Sequence, residues 1–302
     1  MEESIKKADV LIEALPYIQA FAGKTIVVKY GGSALQSSSV LKGILEDLVF
    51  LSAVGLRPVL LHGGGPEISR RIASAGRSTT FIEGMRVTDR ATMQIVNDAL
   101  EAVNQKLVEQ IRALGGRAAG LIARDGVILA EPHPDASRLG YVGAVKEVRT
   151  ARVRQVLTYP AIPVLSPVGS RRGTLYNINA DEAASVVAAR LKAEKLVLLT
   201  NVRGILRQPG EPASLIPTLT IKEARLVMER GVIQEGMIPK VNACVAALRQ
   251  GVKKTHIIDA TIPHALLLEI FTKTGVGTEI VRRAPQRVHG EPEPSVVQSR
   301  MR

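Results

Sequence analysis

Two short apolar runs, each closed by glycines, constrain this chain more than any other feature. Ile26-Val27-Val28 leads into Lys29-Tyr30-Gly31-Gly32-Ser33, and Val59-Leu60-Leu61-His62 leads into Gly63-Gly64-Gly65-Pro66. Unbroken β-branched and aliphatic residues read as buried strands. Between them Leu41, Ile44, Leu48 and Leu51 recur at helical spacing as far as Gly55. Strand, helix, strand is the signature of a parallel sheet, whose ligands gather outside the carboxyl ends of the strands. Glycines let backbone N–H groups approach phosphate, and Lys29 adds a compact positive charge. Pro66 suits the first position of a helix, so the second turn should open onto a helix N-terminus with free N–H donors. Either turn alone is an ordinary tight turn. The pair, one carrying a Lys, points to an α/β enzyme that handles anions. His62 reads as a packed strand-end residue rather than a catalyst.

The remaining patterns fill in that frame. Ala8, Leu11, Leu15 and Ile18 predict a helix before the first strand, stopped at Gly23. It has no crossover to make, so it either covers the core or reaches another subunit. A short helix over residues 66–75 precedes an irregular or hairpin-like stretch, 81–89. Met93, Val96, Leu100, Val103, Leu107, Ile111 and Leu114 then mark one long helix, ended by Gly115-Gly116. Residues 117–145 read as hairpins at a sheet edge, and residues 162–165 as a strand. Asn177-Ile178-Asn179-Ala180-Asp181 leads into an Ala-rich helix. A second lobe opens with the apolar run 195–200 and the turn Asn201-Val202-Arg203-Gly204. Thr220 with Glu223 fits a capping box, and Gly236-Met237-Ile238-Pro239-Lys240 precedes the helix of Cys244. The end reads as strand (256–259), helix (263–271) and strand (277–281). The expected organisation is an N-terminal helix (1–23), two lobes (24–194 and 195–281) and a polar, proline-bearing, disordered tail (282–302).

Composition removes several alternatives. Aromatics are 3% of the 302 residues and Trp is absent, which argues against binding single-stranded nucleic acid by base stacking. The formal charge of +12 reads as a solvated basic surface compatible with anionic ligands. A single Cys244 excludes an internal disulfide and a cysteine metal cluster, and its helical context makes it an inert core thiol. No apolar run is long enough to span a bilayer. The early acids Glu2, Glu3, Asp9 and Glu13 are unlike a transit or signal peptide. A soluble protein without membrane or nucleic-acid partners is expected.

Five segments taken in order carry a resemblance: Val28-Lys29-Tyr30-Gly31-Gly32, His62-Gly63-Gly64-Gly65-Pro66-Glu67-Ile68, Gly84-Met85-Arg86-Val87-Thr88-Asp89, Asn177-Ile178-Asn179-Ala180-Asp181 and Gly236-Met237-Ile238-Pro239-Lys240. Together they resemble the N-acetyl-L-glutamate kinases of the amino-acid kinase superfamily, over nearly the whole chain. The glycine turns are shared across the superfamily, whereas the Arg86 and Asn177 segments point to acetylglutamate. The resemblance implies a three-layer αβα sandwich around a mainly parallel open sheet, with an extra N-terminal helix. It implies transfer of the ATP γ-phosphoryl to the side-chain carboxylate of N-acetyl-L-glutamate, giving an acyl phosphate. A carboxylate, with a reference pKa of about 4.3, is already ionised at neutral pH and needs no general base. Sibling kinases of other acidic substrates, and a kinase-derived regulatory binding protein, are the competing readings.

Residue roles follow from the same resemblance. Lys29 and Lys240 would act on the transferring phosphoryl with the backbone N–H groups of Gly32 and Gly64, and Asp181 would hold both lysines. Gly64, Gly65, Arg86, Asn177 and Ala180 would bind acetylglutamate, Arg86 as a bidentate carboxylate clamp. Lys29, Gly31, Gly32, Thr200, Asn201, Gly204, Gly236, Met237 and Lys240 would meet the nucleotide. Mg²⁺ would arrive with ATP on phosphate oxygens, with no protein metal site. Asn201 departs from the usual Asp, Ala144 from a usual Glu, and Arg124 from a usually small residue. The likeness is greatest to arginine-inhibited hexameric members of cyanobacteria and plastids, which implies an arginine site at His256, Glu269, Gly275 and Gly277. It further implies a trimer of dimers interlaced by the first helix, binding of the nitrogen-signalling protein PII, and a bacterial cytoplasm or plastid stroma as compartment.

Overall fold

A computed structural model describes residues 1–31, 37–208, 210–233, 235–272 and 275–283. Gly32 and most of the expected disordered tail, from residue 284, lie outside them. The first elements are α1 (Glu2–Phe21), β1 (Thr25–Tyr30), α2 (Ser38–Ala53), β2 (Arg57–His62), α3 (Gly65–Ser74), β3 (Phe81–Ile82), β4 (Met85–Arg86) and α4 (Arg90–Ala113). There follow β5 (Ala118–Leu121), β6 (Ile128–Pro132), α5 (Ala136–Leu139), β7 (Val142–Val148), α6 (Thr150–Thr158), β8 (Ile162–Leu165), β9 (Val168–Arg171) and β10 (Thr174–Ile178). Last come α7 (Ala180–Leu191), β11 (Lys195–Thr200), β12 (Thr218–Thr220), α8 (Ile221–Glu229), α9 (Ile238–Arg249), β13 (Lys254–Asp259), α10 (Ala265–Phe271) and β14 (Thr278–Val281).

One eight-stranded open sheet, ordered β12-β14-β13-β11-β1-β2-β8-β5, forms the middle layer. Every neighbouring pair is parallel except β13 with β14. Strand β1 lies near its centre and is buried on both faces, which is why its apolar run is continuous rather than alternating. Ile26, Val28 and Tyr30 pack with Leu41, Leu48, Ile111 and Leu266 of α2, α4 and α10. Val27 faces the opposite layer, with Val59, Ala184 and Val187 of α7 and Val241 and Cys244 of α9. The pairing of β1 with β11 carries the sheet across the expected lobe boundary.

Residues 117–145 differ from the hairpins expected at a sheet edge. Strand β5 is indeed an edge strand, but it pairs in parallel with β8 after the crossover helix α4. Strands β6 and β7 form an antiparallel pair within a separate closed barrel with β9 and β10. Small residues, Ala118-Ala119-Gly120, give β5 little strand signature of its own. The β9–β10 hairpin turns on Arg172 and Gly173, both at positive φ (48° and 83°), the backbone twist that two-residue hairpins require.

Helix α1 projects its apolar residues outward. Leu11 is 64% exposed and Ile12 67%, while Leu15 is also exposed. Its C-terminal end is seated through the Tyr17 ring edge-on to Phe271 and Lys195 Nζ 5.2 Å from the Phe21 ring centre.

Candidate active site

The site begins where β1 and β2 end side by side. Tyr30 is in register with His62, and Gly63 N–H donates to the Tyr30 carbonyl at 2.7 Å, so both glycine turns leave the sheet together. A Cβ on Gly31 would stand 3.0 Å from Lys29 Nζ and 3.4 Å from Gly63 Cα; the glycine keeps the lysine head and the second turn in contact distance. Helix α3 starts at Gly65 with Pro66 in its first turn, leaving N–H donors at the sheet edge.

Helix α7 delivers the acid. Asn179 caps it, accepting from the N–H groups of Asp181 (2.8 Å) and Glu182 (3.2 Å). Its Ala-rich face packs closely against β1 and α9. Asp181 is thereby carried between two cations: Oδ1 is 2.9 Å from Lys29 Nζ, and Oδ2 accepts from Lys240 Nζ at 3.1 Å. Burial pushes the Asp181 carboxyl up, but Lys29 and then Lys240 outweigh it and hold its pKa below the ordinary range. Two ammonium groups on one carboxylate leave a net positive charge. Lys240 adds to it from the first turn of α9, where the helix dipole disfavours a cation. Such a site is electrostatically incomplete without an anion.

Arg86 sits on β4, 6% exposed, rather than on the surface where a loop arginine is usually found. One guanidinium nitrogen donates to Thr79 Oγ1 (2.9 Å), the other to Ser69 Oγ (2.9 Å) and the Gly65 carbonyl (3.2 Å), and the group stacks 4.8 Å from the Phe81 ring centre. These partners are neutral, and burial lowers its pKa. Thr88 Oγ1 donates to the Arg86 carbonyl and accepts from Asn177 Nδ2 at 3.3 Å, tying the two expected substrate-binding segments together. Ala180 follows as the first residue of α7. Ser69 and Thr79 were not singled out by the sequence, whereas Phe81 and Thr88 fall in the hairpin-like stretch 81–89, where Phe81 pairs opposite Arg86.

A cavity of about 360 Å³ lies beyond the ends of β11 and β13, lined by Asn201, Arg203, Gly204, Ile233, Met237 and Asp259 among others. It gathers three of the residues expected to meet nucleotide, with Thr200 and Gly236 adjoining them in the chain. Gly204 has φ +139°, and a Cβ there would lie 2.6 Å from Thr278 Oγ1, so only glycine fits. Asp259 went unnoticed although it ends a strand, where ligands collect.

The third expected cluster also assembles. His256 on β13 and Glu269 on α10 are buried, with Nδ1 2.7 Å from Oε1, and Val276 N–H donates to Oε2 at 2.9 Å. Gly275, at φ +61°, lies against the same carboxylate, and Gly277 packs on the backbone of Ile257 and Ile258. Burial raises the Glu269 pKa, but the His256 bond and charge, with the Val276 N–H and the Lys195 charge, together outweigh it; His256 itself is lowered, chiefly by burial. Glu269 is therefore not a solvated helix face.

Residues 24–259 match the family described as Amino acid kinase family. The chain belongs to the amino acid kinase family. It is 48% identical to the acetylglutamate kinase of Synechococcus elongatus (strain ATCC 33912 / PCC 7942 / FACHB-805), across 93% of this chain and 94% of that protein. Within the family the chain therefore lies among the acetylglutamate kinases. Among solved structures it resembles N-acetylglutamate synthase from Neisseria gonorrhoeae complexed with coenzyme A and N-acetyl-glutamate (29% identity, TM-score 0.79), covering 92% of this chain and 64% of that longer one. The same synthase complexed with coenzyme A and L-arginine gives 28% identity and a TM-score of 0.76, over 92% of this chain and 66% of that chain.

Proposed function

We infer that this enzyme transfers the γ-phosphoryl of ATP to the side-chain carboxylate of N-acetyl-L-glutamate, forming N-acetyl-L-glutamyl 5-phosphate in arginine biosynthesis. The carrying observation is the Lys29–Asp181–Lys240 bridge beside two glycine turns, with Arg86 in a seat of neutral partners. Because the acceptor is ionised already, the enzyme has only to bring two anions together in line and stabilise the charge that moves between them. Lys29 and the Gly64 N–H approach the phosphoryl from the first lobe, Lys240 from the second, and Asp181 keeps the two ammonium groups from separating. Arg86 takes the α-carboxylate; Asn177 and the Gly65 backbone take the remainder. The cavity at Asn201, Gly204 and Met237 takes the adenosine portion. Asp181 is already engaged by both lysines, so Mg²⁺ would be held by the nucleotide phosphates and water, where it neutralises charge. Acetylglutamate-dependent ADP release tests the reading, and its absence would reject it.

Regulation is proposed on the same footing. L-Arginine binds beside α1, its positive groups drawn to Glu269 and its remaining groups meeting His256 and the Gly275–Gly277 backbone, and inhibits. The outward apolar face of α1 is covered by another copy, making a homohexamer, a trimer of dimers. Arginine binding next to that arm then alters the ring and separates the lobes, a two-state element that links the sites. The kinship to cyanobacterial acetylglutamate kinases supports PII as a partner and a bacterial cytoplasm or plastid stroma as compartment. Among the described residues no helix is long and apolar enough to cross a membrane. Co-elution with a PII protein at several ATP and 2-oxoglutarate levels tests the partnership; no co-elution at any of them would reject it.

A further inference from the structure

The residue that ends β2 has a connection to the glycine turn that the reaction itself does not require. His62 is fully buried. Its Nδ1 is 2.8 Å from the carbonyl of Gly63 and its Nε2 is 3.1 Å from Nδ2 of Asn104 on α4. Asn104 Nδ2 also lies 2.8 Å from the Val164 carbonyl on β8. Burial lowers the His62 pKa to about 4, so the ring is neutral at physiological pH, with one donor and one acceptor. A carbonyl only accepts, so Nδ1 carries the hydrogen. Nε2 is then the acceptor, and the Asn104 amide spends one N–H on it and the other on Val164. The tautomer is fixed from both sides.

The bond to Gly63 matters because of what lies on the other side of that peptide. The unit joining Gly63 to Gly64 is planar, and in its trans form the carbonyl and the N–H point in opposite directions. Holding the Gly63 carbonyl back against the imidazole therefore aims the Gly64 N–H outward. Helix α4 closes the turn from behind at a second point, since a Cβ on Gly64 would stand 2.5 Å from Leu100 Cδ2, one turn before Asn104. Asn104 is itself seated on Gly120 of β5, where any side chain would collide with Oδ1.

We propose that His62 and Asn104 are positioning residues for phosphoryl transfer, acting through the Gly63–Gly64 peptide to present the Gly64 N–H to the transferring group. The proposal rests on the reading that the phosphoryl is received at this glycine turn. A preorganised N–H contributes in the transition state more than in substrate binding, so its misalignment should lower kcat and leave KM nearly unchanged.

Asn104→Asp is the discriminating variant. A carboxylate cannot donate to Nε2, so the imidazole must either take up a second proton or move its hydrogen to Nε2 and release the Gly63 carbonyl. Nitrogen-15 NMR of the full-length, histidine-labelled enzyme should find His62 protonated at Nδ1 alone in the wild type and protonated at Nε2 in Asn104→Asp. Where Nδ1 has lost its hydrogen, the variant's kcat should fall by about tenfold or more, with KM for acetylglutamate and ATP within about twofold of wild type. Where the ring is doubly protonated, the Gly63 bond survives and kcat should stay near wild type. A wild-type ring protonated at Nε2, an unchanged kcat with Nδ1 unprotonated, or an about tenfold lower kcat with Nδ1 still protonated would each overturn the proposal. Should Asn104→Asp not fold, His62→Asn, whose amide can stand in for the Nδ1 donor, is compared with His62→Leu. The Asn form should keep at least about fivefold the kcat of the Leu form, and equal values would overturn the proposal. Wild-type enzyme without acetylglutamate-dependent ADP release would reject the functional reading, while the tautomer still reports on the turn.

Discussion

Lys240 Nζ and Asp181 Oδ2 meet at 3.1 Å although 59 residues separate them in the chain. Each stands in the first turn of its helix, α9 and α7, and the acid reaches back to Lys29 on β1 at 2.9 Å. The carboxylate thus fixes the spacing of two cations that would otherwise repel. Replacing Lys29 or Lys240 by Ala should lower kcat by about two to three orders of magnitude with a smaller change in KM, the scale for one lost transition-state charge donor. Steady-state kinetics on both variants checks this, and near-normal kcat in both would remove the lysines from the mechanism.

Arg86 should behave differently. Its role is to bind substrate, so Arg86→Ala should chiefly raise KM for acetylglutamate, by about tenfold or more for a lost charge-assisted pair. Arg86→Lys should not restore it. A single ammonium cannot reach Thr79, Ser69 and the Gly65 carbonyl while also offering a planar fork to a carboxylate. A Lys variant with wild-type KM would contradict the seat described for this residue.

Stability should fall on the acidic side. The folded-state pKa of His62 is lowered to about 4, and that of His256 is lowered as well. Unfolded histidine titrates near 6.5, so the unfolded chain binds more protons below that pH. Stability is fully present above about pH 6.5 and is lost as pH falls towards 4, with His62 alone contributing about 3 kcal/mol over that interval at 1.36 kcal/mol per unit. Urea unfolding at several pH values from 7.5 to 4.5 reads the slope, and His62→Asn should flatten it.

Feedback and assembly should separate by mutation. Removing residues 1–23 should yield dimers that keep activity and have reduced arginine sensitivity, because the exposed stripe of Leu11, Ile12 and Leu15 goes with them. Glu269→Ala should lose inhibition while remaining hexameric. Sedimentation and arginine titrations decide both points, and wild-type enzyme indifferent to millimolar arginine would end the proposal.

What the sequence disclosed depended on distance along the chain. The ends of β1 and β2, the Pro66 helix start, the Thr220–Glu223 capping box and the Cys244 core helix are local patterns, and each lies where its residues predict. The partnership of Lys29, Asp181 and Lys240 was legible only through the resemblance, since no spacing rule joins three separate elements. The barrel was missed because β6, β7, β9 and β10 mix polar with apolar residues and close through pairings distant in the chain, β7 with β10 and β6 with β9, that no local pattern announces. Asn104 occupies a polar gap beside Val103 and Leu107 in an apolar helix face, a position whose meaning needs its neighbours His62 and Gly120 in space.

The acceptor and the bond formed on it are read most directly by trapping the product. Wild-type enzyme with ATP and Mg²⁺ in the presence of hydroxylamine should yield a hydroxamate with N-acetyl-L-glutamate, because an acyl phosphate is trapped that way. Little should form with glutamate, aspartate or carbamate under the same conditions. Equal or greater hydroxamate from unacetylated glutamate, or none from acetylglutamate while ATP is consumed, would contradict the account.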